Sequence, residues 1–195
     1  LFLLGQHPEV LGSVTDEIES VLRGGLPSLE SIPRMPLLDR ALKESMRILP
    51  SAPLLFIRSC RTEARLGHVT LPKRANVVLS PFVTHRDEAV FPEPSRFLPS
   101  RWEKLQPTPY EYMPYGAGHR MCIGKGFADL TLRLVLPMIL SRFRLTLAHG
   151  ARVSRIVRGN ILAPRHGLPM LLAPQDRRFA KGARVRGDIG EIVRL

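Results

Sequence analysis

Apolar residues recur every three or four positions along three stretches of the chain, and each stretch predicts a helix. From about Pro8 to Leu22 the apolar positions are Val10, Leu11, Val14, Ile18 and Val21. Pro8 suits a first helical turn, Glu9 the positive end of the dipole, and Gly24-Gly25 a stop. A second helix is predicted from Pro36 to Leu49, with Leu37, Leu38, Ala41, Leu42 and Leu49 on one broad face and Pro50 and Pro53 ending it. The longest is predicted from about Ile123 to Arg142. Its apolar positions are Phe127, Leu130, Leu134 and Met138, and Pro137 is expected to kink it.

Elsewhere the period shortens. Leu54–Arg58, Val69–Leu71 and Asn76–Leu79 read as short strands separated by Gly67, Pro72 and Lys73. Pro81 to Pro114 holds seven prolines and little periodicity. An irregular stretch of that length in a compact domain is usually functional or covers a site. Arg144–Leu147, Arg152–Val157 and Leu168–Leu172 read as further strands, and the basic residues from Gln175 onward as a mobile tail.

Composition narrows the class. The chain has 195 residues, 44% hydrophobic and 24% charged, which suits one domain or part of a larger one. No apolar run reaches the ~18 residues of a membrane span. Leu1–Leu4 lack a preceding basic region and soon meet Pro8 and Glu9, so no signal peptide is read, and further residues are expected upstream. Two cysteines, Cys60 and Cys122, make no disulfide framework and point to a reduced, intracellular setting. The six histidines stand at no zinc-finger spacing. A net charge of +12 suits an acidic partner or simply an arginine-rich solvated surface. Basic residues are spread along the chain and aromatics are only 6%, so no nucleic-acid platform is expected.

The chemistry concentrates in Tyr115-Gly116-Ala117-Gly118-His119-Arg120-Met121-Cys122-Ile123-Gly124. Its glycines let backbone turn tightly and approach a flat ligand closely. Cys122 stands just before the longest predicted helix, where dipole and free amides favour a thiolate. Arg120 could meet a ligand carboxylate. A soft thiolate in such a loop is a plausible single-sulfur iron ligand. A structural cysteine beside an ordinary glycine turn remains the alternative.

The loop resembles the haem signature of the cytochrome P-450 family: aromatic, Gly, any, Gly, any, Arg, any, Cys, any, Gly. It departs only at the first position, where Tyr115 replaces the usual Phe and brings a hydroxyl that needs a partner if buried. Glu44-Ser45-Met46-Arg47 resembles the family's Glu-any-any-Arg motif on its K helix, and at that spacing the two side chains can pair. Phe91–Phe97 resembles the segment whose arginine, here Arg96, completes a Glu-Arg-Arg cluster. Glu44, Arg47 and Arg96 are therefore expected to stiffen the scaffold and to carry no catalytic step.

The resemblance covers Leu1 to about Pro174 and implies a mainly α fold with small β-sheets (α+β), the C-terminal part of a cytochrome P-450 domain, with 175–195 as tail. It implies haem b (iron protoporphyrin IX) as cofactor, Cys122 as axial thiolate, and Tyr115, Gly116, Gly118 and Gly124 as the loop around it. Arg120 and Arg58 would contact haem propionates. Ala52, Leu54 and Leu55 would line a substrate pocket, with Pro164–Leu168 as another lining turn. Core packing explains the three apolar residues equally well, and Arg58 also reads as a surface strand arginine. The implied activity is insertion of one oxygen atom from O2 into a small organic substrate. Electrons would come from an acidic redox partner, a ferredoxin or flavoprotein reductase, docking near Lys125, Arg120, Arg133 and His119. The family's oxygen-activating acid–threonine pair would lie upstream of Leu1. A peroxygenase or isomerase of the same fold, or an inactive remnant, stays open, and a soluble cytoplasmic enzyme of bacterial style is the expected setting.

Overall fold

The computed structural model describes residues 1–180, 182 and 184–195. It opens with α1 (Phe2–Gln6) and α2 (Pro8–Leu22), which stops at Arg23 in the left-handed region. Helix α3 (Pro36–Ile48) packs on α2. Glu17 of α2 holds its start, its carboxylate accepting from the amides of Leu37 (2.8 Å) and Leu38 (2.9 Å), where the dipole favours negative charge. The facing positions Val14, Ile18, Leu38, Ala41 and Ile48 are all buried, as the helical spacing predicts.

After α3 come two small antiparallel pairs. Strands β1 (Arg58–Ser59) and β4 (Asn76–Val77) enclose the hairpin of β2 (Ala64–Leu66) and β3 (Val69–Leu71). Most of the expected Leu54–Arg58 strand lies open; Leu55 makes a single backbone bond to the Leu79 carbonyl (2.8 Å) before pairing begins at Arg58. The proline-rich stretch contains a short helix, α4 (Pro81–Thr84), whose N-cap Ser80 accepts from Val83 N and donates to the Pro53 carbonyl (2.9 Å).

Helix α5 (Lys125–Leu140) begins later than the apolar period suggests, because Gly124 stands at its N-cap, and it continues through Pro137. Strand β5 (Phe143–Leu147) then pairs with β8 (Met170–Pro174), and between them β6 (Arg155–Arg158) pairs with β7 (Ile161–Pro164). The sequence pattern missed β7; Gly159, at φ +62°, and Asn160 form the turn that makes a hairpin of it. Among the described residues the architecture is thus mainly α with two-stranded antiparallel sheets.

Described residues of the segment after Pro174, expected to be mobile, pack instead against the core. Ile189 and Val193 are buried with α1–α3 and β5, and Phe179 lies against Gly12 of α2. Their apolar side chains outweigh the basic composition of the segment. A charge count alone gives that segment no reason to dock.

Candidate functional site

The scaffold of the site is a buried ion cluster on α3. Arg47 donates Nε to Glu44 Oε2 and Nη2 to Glu44 Oε1, both at 2.9 Å, a two-pronged pairing across three residues of one helix face. Its remaining donors go to the carbonyls of His85, Pro94 and Arg96. Glu44 also accepts from Leu98 N (3.0 Å), Arg101 Nε (3.0 Å) and Trp102 Nε1 (2.8 Å). Every strong acceptor position on this buried carboxylate is filled, which is what keeps a charge inside from being costly.

The third cation is therefore Arg101 and not Arg96. The Arg101 side chain is 8% exposed and joins Glu44, whereas that of Arg96 is 44% exposed and pairs with Glu93 on the surface. Arg96 reaches the cluster only through its carbonyl. The tripeptide Pro-Ser-Arg occurs twice, at 94–96 and 99–101, and only the second is followed by a tryptophan whose indole N–H needs an acceptor. That indole was the available signal.

His85 was not anticipated either. It is fully buried; Nδ1 lies 3.2 Å from the Arg47 carbonyl and Nε2 accepts from Met113 N (2.9 Å), so the ring carries its proton on Nδ1. Burial first, then the Arg47 and Arg86 cations, push its pKa down to about 4, against the Arg47 carbonyl bond, which pulls the other way. The unfolded chain takes up the proton near its ordinary pKa of about 6.5, while the folded state does not until about 4. His85 thus adds stability that is complete above pH ~6.5 and falls away by roughly 3 kcal/mol on acidification towards pH 4. In urea titrations across pH 7 to 4, His85→Asn should flatten that part of the profile; an unchanged slope would count against a neutral buried ring.

Through Met113 this scaffold leads into the cysteine loop. Gly116 (φ +76°) and Gly118 (φ +65°) hold conformations that side chains resist, and they fold the loop so that Cys122 N donates to the Tyr115 carbonyl (2.9 Å). A Cβ on Gly116 would stand 3.7 Å from the Arg120 carbonyl oxygen and 3.8 Å from Leu55 Cδ2, so the 54–58 run lies alongside the loop. The Tyr115 hydroxyl, whose need of a partner follows from its sequence, donates to Asp129 Oδ1 (2.8 Å). Burial first, and Asp129 second, hold that phenol protonated well above its ordinary range.

Cys122 is exposed, and among the described residues its sulfur has no hydrogen-bond partner and no cluster of three or more His, Cys, Asp or Glu could hold a metal ion. Apolar surface surrounds the loop: Ile123 is fully exposed, Phe127 is 79% exposed, and Met121 and Leu54 stand open too. Ala52 and Leu55 are half-buried. Arg58 and Arg120 are exposed with no acidic partner among the described residues; Arg58 makes only a long bond to the Phe56 carbonyl (3.4 Å). One free sulfur ringed by uncovered hydrocarbon, with unpaired guanidinium groups, fits a flat apolar macrocycle bearing carboxylates and a single soft-ligand metal. Arg133, expected on the docking face, is engaged internally: it binds Asp39 (2.6 Å) and faces Asp129 (3.8 Å).

The family model for cytochrome P-450 matches residues 1–171. The chain belongs to the cytochrome P-450 family. It is similar to cyclooctatin synthase of Streptomyces melanosporofaciens, 36% identical over 155 residues, 78% of this chain and 34% of that protein. The mitochondrial 25-hydroxyvitamin D-1 alpha hydroxylase of Homo sapiens is 34% identical over 173 residues, covering 86% of this chain and 34% of the relative. The mitochondrial 1,25-dihydroxyvitamin D(3) 24-hydroxylase of Mus musculus is 34% identical over 178 residues, 90% of this chain and 34% of the relative. This P-450 chain thus spans about a third of the length of the curated relatives it matches. Membership of the P-450 family implies a haem cofactor, which the donor set at Cys122 suits. Among the described residues no helix is long and apolar enough to cross a membrane.

Proposed function

We propose that the protein to which this chain contributes is a haem-thiolate monooxygenase, with Cys122 as the residue that would hold the iron of haem b. The observation that supports this most is the sulfur itself, exposed at the end of a two-glycine turn and directly ahead of α5. Cys122 would hold the metal as thiolate, while the positive end of the α5 dipole offsets its negative charge. Arg120 and Arg58 would take the propionates, and Ile123, Phe127 and Leu55 would exclude water from the faces of the ring. Haem held in this way supplies binding and activation of O2 for transfer of one oxygen atom to an organic substrate. Ala52 and Leu54 would line the substrate side. Arg120, His119 and Lys125, exposed beside the cysteine loop, would meet the acidic face of a ferredoxin or flavoprotein reductase.

The test is Cys122→Ser in the full-length protein. The reduced, CO-bound form should lose the red-shifted Soret band that thiolate ligation produces, while haem content is followed separately by extraction. A mutant that keeps that band would end the assignment.

A further inference from the structure

Within residues 115–124, and among the described residues, one side chain alone makes a hydrogen bond: Tyr115. The other polar side chains of the loop, His119 and Arg120, are exposed, and its internal bonds are backbone to backbone, Met121 N to Gly118 O (3.0 Å) and Cys122 N to Tyr115 O (2.9 Å). Tyr115 is also the residue whose carbonyl receives the Cys122 amide. Its two ends therefore face two parts of the same apparatus: the backbone holds the cysteine, and the phenol holds Asp129 on the second turn of the helix that follows the cysteine.

Asp129 is itself held from both sides. Lys125 reaches Oδ2 at 3.2 Å and Arg133 lies 3.8 Å from the same oxygen, one helical turn before and one after. Lys125 Nζ also stands 5.9 Å from the centroid of the Tyr115 ring. Arg133 continues to Asp39 on α3, and Asp39 to Lys43 at 2.8 Å. A continuous chain of charge-assisted contacts thus runs from the cysteine loop across α5 to the helix that bears Glu44 and Arg47.

We propose that Tyr115 and Asp129 are positioning residues for Cys122: the phenol–carboxylate bond closes the loop onto α5 and, through Arg133 and Asp39, fixes the place of the sulfur relative to α3. This rests on the reading of Cys122 as the haem ligand. A phenylalanine at 115 would fill the same space and keep its ring near Lys125, but the side-chain hydrogen bond that ties the loop to Asp129 would be lost. The bond is thus a device of this chain's own residue choice, needing both the hydroxyl at 115 and the acid fourteen positions on.

Native-state hydrogen exchange in the full-length protein, with and without haem, tests it. Tyr115→Phe and Asp129→Ala should each speed exchange of the Cys122 amide and its neighbours about tenfold or more, the factor expected when one charged hydrogen bond is lost. Amides in the interior of α2 should keep their protection. Asp129→Asn, which retains an acceptor, should fall between the native protein and Asp129→Ala. The double variant should exchange no faster than the worse single one, because the two residues share one bond. In the haem-loaded variants the reduced-CO thiolate band should decay sooner on warming, in the same order. Unchanged exchange in Tyr115→Phe, or effects that simply add in the double variant, would overturn the positioning role. Those outcomes are separate from the Cys122→Ser spectrum: if exchange responds as expected while that mutant keeps its band, the clamp stands and the ligand reading falls.

Discussion

Replacing Glu44 by alanine should lower the unfolding free energy by about 3–5 kcal/mol, seen as a shift of the urea midpoint in the full-length protein. The carboxylate accepts five hydrogen bonds, from two nitrogens of Arg47, one each of Arg101 and Trp102, and the Leu98 amide. Without it, Arg47 keeps only three carbonyl acceptors for a charge with no access to water. An uncompensated buried cation is the expensive outcome, and the loss compares with the whole stability margin of many domains, roughly 5–15 kcal/mol. Glu44→Gln keeps the shape and one strong acceptor and should cost less. The same measurement separates the two arginines. Arg101→Ala should approach the Glu44 effect, while Arg96→Ala should leave the midpoint where it is, since its partner Glu93 is on the surface. Equal effects at 96 and 101 would mean that the cluster is wrongly drawn.

That contrast also marks how far the sequence could be read. Helices α2 and α3 were legible within a few residues because each buries one apolar stripe, and a stripe repeats at the helical period whatever it packs against; α5 carries the same period, although Phe127 and Leu130 of its stripe stand open beside the cysteine loop. The cysteine loop was legible because its glycines are required by local backbone geometry, at Gly116 and Gly118 above all. Long-range polar pairing has no such local imprint. Arg96 and Arg101 each end a Pro-Ser-Arg tripeptide, and only the indole of Trp102 beside the second hints at which one folds back onto α3. His85 resembles any loop histidine until Met113 is brought to its Nε2. Asp129 resembles any helix-surface acid until Tyr115 reaches it. Strand β7 was missed for a related reason: Ile161-Leu162-Ala163-Pro164 has no polar position to alternate with, and only its pairing with β6 makes it a strand.

Ending the full-length protein at the position of Arg184 should cost about 3–6 kcal/mol, an upper figure from burying Ile189 and Val193 at about 1.5–3 kcal/mol each. The lost residues are woven into three separate parts of the fold. The Arg186 carbonyl accepts from Val153 N (2.8 Å), Asp188 Oδ1 from Arg155 N (2.8 Å), and Arg194 N donates to the Ser95 carbonyl (2.8 Å). The Ile192 carbonyl accepts from Arg86, which also holds the Ile48 carbonyl at the end of α3, so the segment reaches the helix of the ion cluster through one guanidinium group. A point variant makes the same case without a deletion. Gly187 has φ +101° and a Cβ there would fall 2.4 Å from the Val153 carbonyl oxygen, so Gly187→Ala meets both backbone strain and a collision. It should reproduce most of the loss in midpoint and expose the peptide bonds after Arg184 and Arg186 to trypsin. A mobile basic tail predicts the reverse for both changes: no shift in midpoint, and protease cleavage after Arg184 and Arg186 that is as fast in the native protein as in the variant.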